Sequence, residues 1–325
     1  MITMRLGKEG PLVSALGLGC NRMSLQNPRN DDESIATIQA ALDAGINYLN
    51  TADFYGSGHN ESLIGRAIKG RRDQAFISVK FGAMFSPAGQ FMGLDGRPNS
   101  VKNFAAYSLQ RLGVDVIDLY QPGRPDPEVP FEDTIGAVAD LIKEGKVRYL
   151  GVSEVGADNL RRAHKVHPVS ALEIEYSLAC RFTEPEILPT ARELGVTIVP
   201  YRVLADGLLT GALTSASLGG DSRMQPPRMQ GENLEHNIAA IAPLKEMAAA
   251  KGCTPAQLAV AWLLSRGDDI IALVGMTRPA RLQENLQILD IRFSAQELAD
   301  LERAFAPGVI LGDRYPAFVL KYAAQ

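Results

Sequence analysis

Short runs of apolar, β-branched residues alternate along this chain with stretches whose apolar positions recur every three to four residues. The first kind predicts strands over residues 16–19, 47–50, 75–80, 116–120, 147–152, 171–175, 196–201 and 270–274. The second predicts helices over 31–44, 61–69, 100–112, 131–144, 158–166 and 184–194, a longer pair over 234–251 and 254–266, and a last one over 278–289. Strands alternating with helices argue for parallel βαβ units. Eight such units in 325 residues favour a closed (β/α)8 TIM barrel over an open sheet, formed as a single domain across residues 1–325.

The punctuation agrees with the pattern. Gly45, Gly113, Gly145 and Gly195 each close a helical stretch just ahead of a β-like run, where a left-handed residue past the helix end is favoured. Thr254-Pro255 offers a capping hydroxyl and a first-turn proline. Ahead of the first strand, residues 4–6 and 12–14 flank Gly7-Lys8-Glu9-Gly10 and predict a β-hairpin plugging the barrel floor. Residues 85–99 and 215–231 break the alternation with Gly- and Pro-rich loops. Both follow strands, on the face where barrel active sites sit, and loops of this length in a compact domain are usually functional. The C-terminal tail, residues 308–325, is expected over the same face.

Composition narrows the classes. An apolar content of 46% suits a large core, and the net charge is -4 with a pI near 5.7. No basic stripe suggests a nucleic-acid partner, and no apolar run reaches the roughly 18 residues a membrane helix needs. The first residues lack the apolar stretch of a signal peptide, and Cys20, Cys180 and Cys253 have no metal-like spacing. These features read as a cytoplasmic protein with reduced thiols. The four histidines also lack ligand spacing, so no metal is expected.

Candidate chemistry gathers where the strands end. In order, those ends carry Cys20 and Asn21; Asn50 and Tyr55; Lys80; Tyr120, Gly123 and Arg124; Ser153 and Glu154; Glu173 and Tyr176; Tyr201 and Arg202; Gly275, Thr277 and Arg278. A phenol is a poor proton donor near neutrality because tyrosine titrates near ~10, and an adjacent ammonium lowers that value. Tyr55 and Lys80, on successive strand ends, therefore form a plausible proton-transfer unit. The last strand leads through Gly275-Met276-Thr277 into a helix start bearing Arg278 and Arg281, an arrangement suited to a phosphate. The run Leu204-Ala205-Asp206-Gly207-Leu208-Leu209-Thr210-Gly211 after strand seven offers backbone donors to a pyrophosphate. No G-x-G-x-x-G follows the first strand, so a Rossmann site is not indicated.

These residues in this order resemble the aldo-keto reductase superfamily. The resemblance runs from Leu16-Gly17-Leu18-Gly19-Cys20 to Glu284-Asn285. It rests on Thr51-Ala52-Asp53-Phe54-Tyr55-Gly56 with Gly58-His59-Asn60-Glu61, on Lys80-Phe81-Gly82, Arg124-Pro125-Asp126-Pro127, Gly151-Val152-Ser153, Glu175-Tyr176-Ser177-Leu178 and Gly207-Leu208-Leu209-Thr210-Gly211. The chain looks most like the bacterial branch with pyridoxal-reductase-like and potassium-channel-β-like members.

The resemblance implies NADP(H) as cofactor, hydride transfer to an aldehyde or ketone (or the reverse), and a tetrad of Asp, Tyr, Lys and His. Tyr55 and Lys80 match that tetrad, whereas Asn50 stands at the aspartate and Gly123 at the histidine. Asn50 can accept from the ammonium but supplies no charge, so Lys80 is expected to lose electrostatic support. Gly123 removes a donor to the substrate oxygen, typically worth about 2.7–4 kcal/mol, and leaves a hollow.

The resemblance further implies that Tyr201 stacks on the nicotinamide. Ser153, Glu154 and Glu173 take the carboxamide positions, where the usual pattern is Ser, Asn, Gln. Cys20, Leu204, Gly207, Leu209, Gly275, Thr277, Arg278, Arg281, Glu284 and Asn285 complete the cofactor contacts, the arginines favouring NADP over NAD. The alternatives are a weakly active or inactive NADP(H)-binding sensor, or a different barrel chemistry at Lys80. The substrate and the oligomeric state are not encoded legibly.

Overall fold

The computed structural model of the protein describes residues 1–25, 28–214 and 226–324. The chain opens on a hairpin, β1 (Thr3–Arg5) antiparallel to β2 (Leu12–Ser14). There follow β3 (Leu16–Gly19), α1 (Arg22–Leu25), α2 (Asp31–Asp43), β4 (Tyr48–Ala52), α3 (His59–Ala67) and β5 (Phe76–Phe81). A second hairpin, β6 (Ala83–Phe85) with β7 (Phe91–Leu94), precedes α4 (Pro98–Leu112) and β8 (Ile117–Pro122). The alternation continues through α5 (Phe131–Lys143), β9 (Val147–Ser153), α6 (Ala157–Val166), β10 (Val169–Glu175), α7 (Ile187–Leu194) and β11 (Thr197–Tyr201). It ends with α8 (Gly231–Ala240), α9 (Ala242–Ala250), α10 (Pro255–Leu264), β12 (Ala272–Gly275), α11 (Ala280–Leu286), α12 (Ala295–Ala304) and α13 (Ala317–Leu320).

Strands β3, β4, β5, β8, β9, β10, β11 and β12 form one parallel sheet. Its outer strands meet through a parallel bridge from Ile198 to Ile270, with Ile198 N–H donating to Asp269 O at 2.8 Å. The sheet thereby closes on itself as the expected (β/α)8 barrel, and the β1–β2 hairpin closes its floor. Leu6 and Val13 of that hairpin pack with Tyr48, Phe76, Leu119, Ala171, Val199 and Ile271 as a dry lower layer inside the barrel. Interior residues alternate along each strand, so this layer fixes which residues above it also face inward.

Several boundaries differ from the sequence pattern, each for a local reason. The stretch 85–99 contains β7 and the proline that opens α4, and β7 pairs back onto β6. The helix expected over 234–251 breaks at Ile241, because Pro243 in the first turn of α9 has no N–H to continue the preceding helix. The helix expected over 278–289 is α11 followed by a 3-10 turn, Gln287–Asp290. Helix α12 was not visible as a periodic stretch, although Ser294 and Glu297 form a capping box at its start. Most of the second long loop, residues 215–225, lies outside the described residues.

Candidate active site

Counting two residues up from the dry layer gives Asn50 above Tyr48, Ser78 above Phe76, Gln121 above Leu119, Glu173 above Ala171 and Tyr201 above Val199. These form a polar belt in the barrel mouth, staggered from strand to strand by the register of the barrel. Asn50 pairs with Ser78, Lys80 with Gln121, and Ser153 with Glu173. The next step up β5 is Lys80, whose side chain reaches back into this layer. Its Nζ donates to Asn50 Oδ1 at 2.7 Å and lies 2.9 Å from Glu173 Oε1. Asn50 Nδ2 and Gln121 Nε2 each donate to Glu173 Oε2 at 2.7 Å. Asn50, Lys80 and Glu173 are all at most 5% exposed.

This corrects one expectation. Lys80 does not lack a carboxylate, because Glu173 on β10 supplies the charge that Asn50 on β4 cannot. Burial works against the ammonium, but Glu173, aided by Tyr55, outweighs it and holds the Lys80 pKa above its ordinary value. Tyr55 follows β4, with the Lys80 ammonium 5.3 Å from its ring centroid. Burial raises the Tyr55 pKa, the Lys80 charge and hydrogen bond pull it down, and Glu173 pushes it up again, for a net rise. At neutral pH the phenol therefore keeps its proton beside a charged lysine, which is the state an acid needs before it donates.

A second correction concerns Gly123. No hollow stands at this position, because Phe54 fills it. A Cβ here would lie 3.3 Å from the Phe81 carbonyl oxygen and 3.4 Å from the Phe54 ring edge. Phe54 also packs edge-on to Tyr55, at 5.1 Å between centroids. Gly123→Ala is expected to destabilise the protein by about 1–2 kcal/mol through overpacking. Adding Phe54→Leu should not recover that loss, because the tightest contact is with the Phe81 backbone carbonyl oxygen, as read from urea unfolding midpoints.

Around this core the cofactor positions divide. The buried Ser153 Oγ has no hydrogen-bond partner, and Arg278 is exposed at the end of the last strand. Both fit a nicotinamide dinucleotide, as does the part-exposed Tyr201 ring. Other positions are already engaged. Glu173 is bound to Lys80 and its amide partners rather than left open for a carboxamide. Glu154 accepts from the Tyr201 hydroxyl at 2.8 Å and the Glu175 N–H at 3.0 Å, and pairs with Arg314 at 2.7 Å. Burial opposes the Glu154 charge, but Arg124 and Arg314 outweigh it and keep its pKa low. The N–H groups of Gly207 and Leu209 both donate to Leu204 O, at 3.0 and 3.2 Å. Arg281 pairs with Glu284 at 2.6 Å. Cys20 is buried, its N–H donating to Asn50 O at 3.0 Å, while Gly275 and Thr277 lead into α11 and Asn285 lies within it.

Beyond the polar layer the sequence reading missed an ionic cluster. Glu175, two residues above Glu173, pairs with Arg228 Nη1 at 2.5 Å and stands 3.7 Å from both Arg202 and Arg314. Arg228 also meets Asp206 at 3.0 Å. The tail enters through Arg314 and through Tyr315, whose hydroxyl bonds to that of Tyr201 and accepts from Arg124 at 2.9 Å. Tyr322 of the tail packs against Phe91, Phe91 against Phe85, and Phe85 against Phe54, so hairpin and tail form one aromatic cluster that ends beside Tyr55. Among the described residues no group of three His, Cys, Asp or Glu could hold a metal.

A closed eight-stranded barrel with an acid–cation pair at its C-terminal mouth is the build of a barrel enzyme. Comparison with known proteins identifies its family. The aldo/keto reductase family model matches residues 15–305. A probable aldo-keto reductase 1 of Glycine max is 38% identical over 316 residues, covering 96% of this chain and 91% of that protein. The glycerol dehydrogenase of Gluconobacter oxydans superposes with a TM-score of 0.83 at 29% identity, over 94% of this chain and 96% of its own. A thermostable aldo-keto reductase solved with the inhibitor epalrestat gives 0.76 at 28%, over 94% and 100%. The chain belongs to the aldo/keto reductase family, a family of oxidoreductases.

Proposed function

We propose that the protein is an NADP(H)-dependent reductase of an aldehyde or ketone, or the corresponding alcohol dehydrogenase, acting as a single-domain enzyme of the cytoplasm. The observation that carries this reading is the Tyr55 ring beside the buried, charge-paired Lys80. A reduced nicotinamide, when bound, supplies the hydride. Tyr55 gives its proton to the carbonyl oxygen as charge develops there. Lys80 meets the phenolate that remains, and its placement by Asn50 Oδ1 and Glu173 spares the site reorganisation at that moment. Ser153 Oγ, free of other partners, would hold the carboxamide, and Arg278 would meet a 2′-phosphate.

The aromatic cluster of Phe54, Phe85, Phe91 and Tyr322 beside Tyr55 favours an apolar substrate body. The engaged Glu154, Gly207 and Leu209 support a second reading, a weakly active NADP(H)-binding sensor. Fluorescence titration with NADPH, NADP⁺ and NADH, followed by a carbonyl panel read at the cofactor absorbance, separates the two. Binding with turnover supports the reductase, binding without turnover the sensor, and no binding overturns both.

A further inference from the structure

We propose that Glu173 is the positioning carboxylate of the Tyr55/Lys80 pair, and that Asn50 and Glu173 act as an exchanged couple. The charge that fixes Lys80 comes from β10, and the neutral amide that relays it sits on β4. This rests on the reductase reading and deepens it, because it identifies what holds the proton-transfer site in its working state.

The hydrogen bonds give the couple a direction. Asn50 uses its oxygen to accept from Lys80 and its nitrogen to donate to Glu173 Oε2, both at 2.7 Å. A carboxylate at position 50 could do the first but has no proton for the second. It would also set a second negative charge against Glu173, and two carboxylates sharing a site cannot both stay ionised comfortably. Gln121 Nε2 adds another donor to Glu173 at 2.7 Å, so the carboxylate receives one cation and two amides. The titratable groups facing Lys80 are Glu173 from β10, Tyr55 from beyond β4 and Cys20 from beyond β3. Asn50, Ser78 and Gln121 complete the polar layer without charge. One cation thus faces one resident anion, and the balance fails if either member of the couple changes alone.

The test compares wild type, Glu173→Gln and the double variant Asn50→Asp/Glu173→Gln. The single variant should lose about 100-fold in kcat with NADPH dissociation constant unchanged, and the double should recover to within about tenfold of wild type. A second readout does not depend on turnover. In Glu173→Gln the buried, unpaired Lys80 titrates below its unfolded value of ~10.4, so the unfolded chain binds more protons between the two values. Stability of that variant should therefore climb with pH across this window relative to wild type. In wild type the Lys80 value is raised instead, so its contribution is present below the unfolded value and lost only at higher pH. The double variant should behave like wild type. If wild type reduces no carbonyl, the reductase reading falls while the unfolding curves still decide the charge assignment. A single variant with unchanged kcat and a wild-type pH profile, or a double variant no better than the single in either readout, would overturn the proposal.

Discussion

Tyr55→Phe is expected to bind NADPH as tightly as wild type and to reduce a carbonyl roughly 10³-fold more slowly, the middle of the range for losing a positioned acid. The phenylalanine keeps the ring and its edge contact with Phe54, so the mouth keeps its shape. Only the proton and its oxygen are removed. The substrate oxygen then takes its proton from water. Lys80 stays charged, because Glu173, the larger of its two electrostatic supports, is untouched. The measurement is single-turnover hydride transfer alongside the NADPH dissociation constant. Loss of binding in parallel with rate would place Tyr55 in the cofactor site rather than at the reacting oxygen. An unchanged rate would remove it from the chemistry altogether.

The second large effect falls outside the reacting centre. Arg228→Met is expected to destabilise the protein by about 3 kcal/mol, the lower end of the range for breaking a buried pair. Arg228 and Glu175 are each at most 1% exposed, so deleting the guanidinium leaves a carboxylate in the interior. The lower end applies because Arg202 and Arg314 remain 3.7 Å from that carboxylate. Removing both charges in Glu175→Gln/Arg228→Met should restore much of the stability, since the cost lies in the uncompensated ion rather than in the lost pair. Urea unfolding with the m-value held constant reads this directly. Equal losses in the single and double variants would refute the argument.

The barrel was legible because its strands and helices differ in period, and because glycines such as Gly113 and Gly195 close helices with left-handed φ of 65° and 69°. Tyr55 and Lys80 were legible because each lies at a strand end beside a distinctive motif. The partner of Lys80 was not, because position 50 was judged alone while the compensating charge lies 123 residues away. One signal pointed to it. Glu173 and Glu175 occupy alternate positions of a buried strand, and two inward carboxylates demand cations. Arg228, in a short 3-10 turn, and Arg314, in the tail, were missed because neither stretch is long enough for a period to predict what a side chain meets. Phe54 in the place of a hollow was equally hidden, since a sequence shows a missing side chain but not the neighbour that takes its room.

The divided labour of positions 50 and 173 also constrains how such a site can change over generations. Between the present couple and an aspartate with a glutamine lie two single-substitution routes. One begins with Asn50→Asp while Glu173 is retained, which sets two anions face to face. The other begins with Glu173→Gln, which leaves an amide at both positions and a buried lysine unpaired. Each intermediate is compromised in a different way, so neither substitution is neutral by itself. The two positions are therefore expected to be inherited as a unit, and a lineage that has crossed is held on its side until both codons change.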